Sequence, residues 1–197
     1  MKETEEAKKA IKDGGLIVYP TETAYAIGGN ALNEEVIDRV YKAKQRPRSK
    51  GLTVIVSSLT QAEKYAELNE SEKALVEEFM PGPLTLVSKK KDSVPDSLNE
   101  GFVFRISSSP LARELAEKKP LIATSANISG ETTSYSVGDI SEELLDKVDY
   151  VLDRGNLPKG PTSTIAEVQN GEIFIHREGP ISHEEVEKAL DDRGIPR

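Results

Sequence analysis

The order of apolar and polar positions divides this chain into alternating helix-like and strand-like stretches. Residues 3–13 place Ala7, Ala10 and Ile11 on one helical face and stop at Gly14-Gly15. Leu16 to Tyr19 is a short apolar run bounded by Gly and Pro, which predicts a buried strand, and Pro20-Thr21-Glu22-Thr23 breaks it at the strand's end. A second extended piece covers Ala24 to Ile27. Behind Asn33, a good N-cap, the residues Val36, Ile37, Val40 and Tyr41 recur at helical spacing, so 34–44 is predicted helical, with Pro47 as its stop.

Leu52 to Val56 reads as a β-branched strand, and Ser58 to Leu68 and Ser71 to Phe79 read as helices. Pro81-Gly82-Pro83 leads into a strand over Leu84 to Val87. Lys89 to Glu100 is polar, contains Pro95, and is expected to be an exposed connection. Phe102 to Ile106 alternates, which puts Arg105 on the face opposite Phe104. A short helix over Pro110 to Glu117, a strand over Leu121 to Thr124, a Ser/Asn/Gly-rich loop, a helix over 141–147 and a strand over Tyr150 to Leu152 come next. After a Gly/Pro loop from Asp153 to Pro161, Asn170-Gly171 joins Thr164–Val168 to Glu172–His176 as a hairpin. The last helix, about 182–191, begins with a capping box of Ser182 and Glu185. Early alternation and a late hairpin predict a single α/β domain over 1–197, built on a twisted mixed parallel/antiparallel sheet flanked by helices.

Composition narrows the chemistry. Cysteine is absent, which excludes thiol redox catalysis and Cys-ligated zinc and fits a reducing cytoplasm. The two histidines, His176 at the close of a β-rich run and His183 at the start of an acidic helix, read as structural rather than catalytic. No stretch resembles a signal peptide or approaches the ~20 apolar residues of a membrane span, so a cytoplasmic protein with no membrane contact is expected. A net charge of −8 argues against a broad, non-specific grip on nucleic acid.

Against that sign, Lys42 to Lys50 (KAKQRPRSK) carries five basic residues in nine. Such a run neutralises phosphate oxygens well, although a helix end also favours cations for its dipole. Three other polar clusters, Thr21–Thr23, Ser125–Asn127 and Pro161–Thr164, stand at or just after element ends, and Arg105 and Arg177 add cations from strands. Each cluster alone is compatible with a turn. Their shared location at element ends, where α/β proteins bind ligands, points to one site.

Seven separated runs carry a resemblance: VYPTETAYAIGGNA (18–31), KAKQRP (42–47), PGPLTLV (81–87), FRIS with PLA (104–112), TSANISG (124–130), PTSTI (161–165) and HREGPIS (176–182). In this order they resemble the YrdC-like family of threonylcarbamoyl-AMP synthases. The resemblance implies an α/β fold around a deep basic cavity and an enzyme, a nucleotidyltransferase, that joins L-threonine, bicarbonate or CO₂, and ATP into threonylcarbamoyl-AMP and pyrophosphate. A separate transferase complex would then carry the threonylcarbamoyl group to the adenosine beside the anticodon of tRNA. It further implies that the Lys-x-Arg and Ser-x-Asn signatures, Lys44 with Arg46 and Ser125 with Asn127, are catalytic. Thr23, Arg105, Ala123 and Ser163 would bind threonine, with Arg105 on its carboxylate and Ala123 and Gly101 contributing backbone. Arg46, Lys50, Ser125, Thr133 and Arg177 would bind ATP, with Lys44 joining Arg46 and Lys50 at the triphosphate. Mg²⁺ would be carried by the phosphates without dedicated protein ligands.

These residue types suit the reaction. A carbamate oxygen must approach the α-phosphorus of ATP, and both partners are anionic, so shielding cations matter more than a strong base. Two departures stand out: Ala26 replaces a common Gly, and Ile55 lies near where some members have a His that touches threonine. A lid, where one is needed, is expected from the chain's own loops, since the resemblance stops short of the second domain of longer members. The family also offers an alternative of another class, a non-catalytic module binding double-stranded RNA or tRNA. A carbamoyl-adenylate chemistry like that of hydrogenase maturation factors would need a partner domain.

Overall fold

A computed structural model describes residues 2–194. Along the chain run α1 (Lys2–Lys12), β1 (Ile17–Pro20), β2 (Tyr25–Gly28), α2 (Glu34–Ala43), β3 (Val54–Val56), α3 (Leu59–Ala62), β4 (Ala66–Glu67), α4 (Glu70–Phe79) and β5 (Leu84–Lys90). Then come β6 (Phe102–Ile106), α5 (Pro110–Leu115), β7 (Leu121–Ile122), β8 (Thr124–Ser125), α6 (Glu142–Leu145), β9 (Tyr150–Val151), β10 (Thr164–Gln169), β11 (Glu172–Arg177) and α7 (His183–Asp191). The expected mixed α/β domain is present, with its strands in two hydrogen-bonded sheets where one was expected. The smaller runs β8-β2-β1-β9 and the larger β11-β10-β5-β6-β3-β7, with β4 added on β5.

The register of the larger sheet sorts its side chains. Glu167 pairs with Val87, Val87 with Val103, and Ile55 with Arg105, so the odd-numbered positions of β5, β6 and β10 share one face. The opposite face carries Leu84, Leu86, Phe102, Phe104 and Ala166 into the main core, where the two Phe rings stack at 5.6 Å. Ile55, with Tyr19, Ala26 and Leu121, belongs to a second, smaller core. At Gly28, in the smaller sheet, a Cβ would stand 1.8 Å from the carbonyl of Ile122 in the larger one, so only glycine fits.

Three expectations fail locally. The strand expected over Leu121–Thr124 divides into β7, in the larger sheet, and β8, in the smaller. The helix expected over Ser58–Leu68 is one turn, α3, because the Gln61 side chain leaves the helix pattern: it accepts from Ser57 N–H and donates to the Ala116 and Glu117 carbonyls, and the chain then enters β4. The connection Lys89–Glu100 is not simply exposed. Lys89 and Lys90 extend β5, and Val94 and Leu98 are buried. Asn170 and Gly171 both have positive φ, as a two-residue hairpin requires. Among the described residues no helix is long and apolar enough to cross a membrane.

The end of α2 sets the course of the basic loop. Lys44 is its C-cap, and Gln45 adopts φ 50°, a left-handed conformation. Gln45 N–H donates to Lys42 O and Arg46 N–H to Tyr41 O, the paired bonds of a Schellman stop. The helix therefore ends before Pro47, and the chain turns sharply at Arg46. Glycine is the residue that takes this conformation without a Cβ penalty. Gln45→Gly is expected to stabilise the protein by about 1 kcal/mol, read as a raised midpoint in thermal unfolding.

Candidate functional site

Residues from both sheets and from the loop after α2 line a cavity of about 1010 Å³. The Thr21–Thr23 corner ends β1, Ser125 lies in β8, Arg105 in β6, and Ser163 immediately precedes β10. Arg46, Arg48 and Lys50 come from the loop after α2. Five cations, Arg46, Arg48, Lys50, Arg105 and Arg177, share this lining with two carboxylates, Glu100 and Glu167. A chain of net charge −8 thus concentrates positive charge in a hollow, where low-dielectric walls focus its field.

Backbone carbonyls hold most of these cations. Arg46 Nε donates to Lys50 O at 3.0 Å and its Nη2 to Gly51 O at 2.7 Å. Arg177 Nε and Nη2 donate to Ser163 O at 3.0 and 2.8 Å, and Nη2 reaches Ser163 Oγ at 3.2 Å, which in turn bonds Thr85 Oγ1 at 2.8 Å. Arg48 lies over the Tyr41 ring at 4.2 Å, pairs with Asp38, and donates to Ser97 O. A carbonyl orients a guanidinium without cancelling its charge, which leaves that charge for a ligand.

Arg105 is different. It is only 5 % exposed, its Nη atoms approach Thr23 Oγ1 at 3.4 and 3.5 Å, and Glu22 Oε1 forms a loose ion pair with Nη1 at 3.5 Å. Its Nε and Glu22 Oε1 have no hydrogen-bond partner, while Glu22 Oε2 accepts from Ser107. Burial pulls Arg46 below the usual guanidinium range, and burial and then Arg105 pull Arg177 the same way. Both shifts mark cations short of counter-charge, the deficit that a bound anion removes.

A bulge brings Arg177 here. Glu167 pairs with Phe174 and Ala166 with Ile175, but Ile165 pairs with Arg177, so β11 carries one extra residue, His176. Both His176 and Arg177 consequently line the cavity. His176 Nε2 stands 2.7 Å from Glu167 Oε2, whereas His183 lies at the start of α7, outside the lining.

Of the residues expected from the sequence, Thr23, Arg46, Lys50, Gly101, Arg105, Ala123, Ser125, Thr133, Ser163 and Arg177 all line this one cavity. Lys44 and Asn127 are not part of this lining. Lys44 is 1 % exposed, and its Nζ donates to Ser125 O and, at 2.6 Å, to Asn127 O. Asn127 is also buried and uses its Nδ2 on Ile128 O and Glu131 O. The helical spacing that sends Val40 and Tyr41 into the core sends Lys44 inward as well. Its ammonium therefore holds the Ser125–Asn127 loop from behind.

A family model described as "Telomere recombination" and named for Sua5, YciO and YrdC matches residues 9–179. The chain belongs to the Sua5/YciO/YrdC family. A Methanocaldococcus jannaschii relative, provisionally named threonylcarbamoyl-AMP synthase, is 41% identical over 175 residues, 88% of this chain and 84% of the relative. The crystal structure of Pyrococcus abyssi Sua5 complexed with L-threonine superposes with a TM-score of 0.89 at 33% identity, over 95% of this chain and 57% of that one. This chain thus spans a little over half of the P. abyssi protein. Escherichia coli YciO, at 24% identity and a TM-score of 0.83, shares the fold.

In this Sua5/YciO/YrdC domain the two signatures form one mechanical unit, with the lysine of the first bonded to the backbone of the second. Sequence reasoning missed Glu22, although it sits inside the Thr21–Thr23 corner, and Asn99, which lies in a polar stretch with the composition of a linker. Burial pulls the Lys44 ammonium down to about 7, helped by nearby Arg46, while its two carbonyl partners favour the charged form. Because the folded value lies below the ordinary 10.5, the unfolded state binds the extra proton between those limits, and this group's contribution to stability rises with pH across that window. The gap in melting temperature between wild type and Lys44→Met should therefore widen in favour of wild type from about pH 7 to about pH 10. A gap independent of pH would contradict this placement of the charge.

Proposed function

We propose that this chain is an L-threonylcarbamoyladenylate synthase, a nucleotidyltransferase that forms threonylcarbamoyl-AMP and pyrophosphate from L-threonine, bicarbonate or CO₂, and ATP. The observation that carries the reading is the convergence of Arg46, Lys50, Arg105, Ser125, Ser163 and Arg177 on one cavity of about 1010 Å³. Such a space suits two small anionic ligands held side by side.

Arg105 has the planar fork that a threonine carboxylate takes in two-point fashion, with Thr23 and Ser163 beside it for the remaining polar groups. Arg46 and Lys50 are assigned to the triphosphate, with Arg177, Ser125 and Thr133 along the nucleotide. The reacting carbamate and the α-phosphate are both negative. Cations fixed by carbonyls before either ligand arrives lower their mutual repulsion and stabilise the departing pyrophosphate without reorganisation at the moment of reaction. Mg²⁺ would be carried on the phosphates and would offset charge on their oxygens. Among the described residues no group of three or more His, Cys, Asp or Glu side chains is placed to hold a metal ion.

The product would pass to a threonylcarbamoyl transferase complex for tRNA modification, in the cytoplasm. The cations line a concavity sized for small molecules, which favours this reading over a surface for an RNA backbone.

Purified protein with ATP, Mg²⁺, bicarbonate and L-threonine should release pyrophosphate, and omission of either threonine or bicarbonate should abolish the release. Release independent of both would overturn the assignment. Arg46→Ala is expected to lower kcat by about 100-fold with an unchanged circular dichroism spectrum. Arg105→Lys, which keeps the charge and loses the fork, should raise the threonine KM by about tenfold and leave that for ATP unaltered.

A further inference from the structure

Asn99 lies in the connection between β5 and β6 and lines the cavity. Its carboxamide pairs with the backbone of Leu52 at two points: Leu52 N–H donates to Oδ1 at 2.7 Å, and Nδ2 donates to Leu52 O at 2.8 Å. A side chain thus does for Leu52 what an adjacent strand does for a ladder residue. The preceding residue fits tightly against it, since a Cβ on Gly51 would stand 2.5 Å from Asn99 Oδ1. The carbonyls of Lys50 and Gly51 are the ones that hold the Arg46 guanidinium. Behind Asn99, Lys90 Nζ donates to its carbonyl at 2.9 Å, and the Tyr41 hydroxyl reaches Leu98 O at 3.2 Å and Lys50 O at 3.3 Å. A continuous set of bonds runs from β5 through Asn99 and Leu52 to Arg46.

We propose that Asn99 is a positioning residue for the anion-binding loop. It sets the backbone of residues 50–52, and through those two carbonyls it aims the Arg46 guanidinium at a polyphosphate. The inference rests on the synthase reading for the identity of that polyphosphate, ATP. The bonds fall on the backbone of Leu52, whose side chain belongs to the main core, and the segment they brace carries the two carbonyls that end on a cavity-lining cation, so the test separates the two roles by ligand affinity.

Calorimetric titration of ATP and, separately, of L-threonine into wild type, Asn99→Ala, Gly51→Ala and the double variant tests it. Asn99→Ala is expected to weaken ATP about tenfold, the loss typical of unmaking hydrogen bonds around a charged group, with threonine changed by less than about twofold. Gly51→Ala should weaken ATP similarly, because its methyl displaces the carboxamide. In the double variant the methyl enters space the carboxamide has left, so the loss should be no greater than for Asn99→Ala alone. Slow hydrogen exchange at the Leu52 amide in wild type and fast exchange in Asn99→Ala would report the bracket directly. Wild-type ATP affinity in Asn99→Ala, equal losses for both ligands, additive single effects or unchanged Leu52 exchange would each overturn the proposal. A wild-type chain with no affinity for ATP would instead overturn the synthase reading, and the assignment of ATP to this loop with it.

Discussion

The site depends on holding several positive charges close together without cancelling them. A carboxylate beside each guanidinium would orient it but would also occupy it, and an incoming phosphate would have to displace a protein ion pair. Arg46 and Arg177 are instead fixed by backbone carbonyls, partners that supply direction and little charge. The cost is visible in the downward pull that burial exerts on both groups. Arg105 has Glu22 behind it, at a distance that supports the guanidinium without forming a tight pair.

The fold serves this arrangement by dividing labour between its two hydrophobic cores and the polar space its sheets share. Even-numbered positions of β5 and β6 build the main core, and the odd-numbered ones, including Arg105, turn the other way. A strand position is stiff, so Arg105 is placed by the sheet, while Arg46 is placed by a sharply stopped helix and a loop braced from neighbouring segments. The left-handed Gln45 is part of that placement: a longer helix would carry Arg46 around its axis and away from the carbonyls of residues 50 and 51.

Most of the architecture was legible because the local signals agreed with the tertiary outcome. Asn33, Asn69 and Ser182 all cap helices near the expected starts, and Asn170-Gly171 makes the expected hairpin. Alternation in β6 foretold that Arg105 leaves the core. The division into two sheets was not legible, since hydrophobic period does not say which strands pair. α3 failed for a related reason: Gln61 bonds to the Ala116 and Glu117 carbonyls, far along the chain, and no local pattern encodes that partner. At the site, residue type revealed the cations, but whether a lysine faces a ligand or a loop depends on its environment. Lys44 has the same chemistry as Lys50 and the opposite position. Asn99 looked like linker polarity because its partners lie 47 residues away.

The hairpin of β10 and β11 carries a constraint of its own. Arg177 reaches Ser163 only because His176 is the surplus residue in the ladder. With side chains alternating at period two, loss of one residue between the Asn-Gly turn and this point would bring the arginine one place out of register and present different chemistry to Ser163. The register therefore pins the hairpin's length. Insertions and deletions should be borne by the loops around it and not by the hairpin itself.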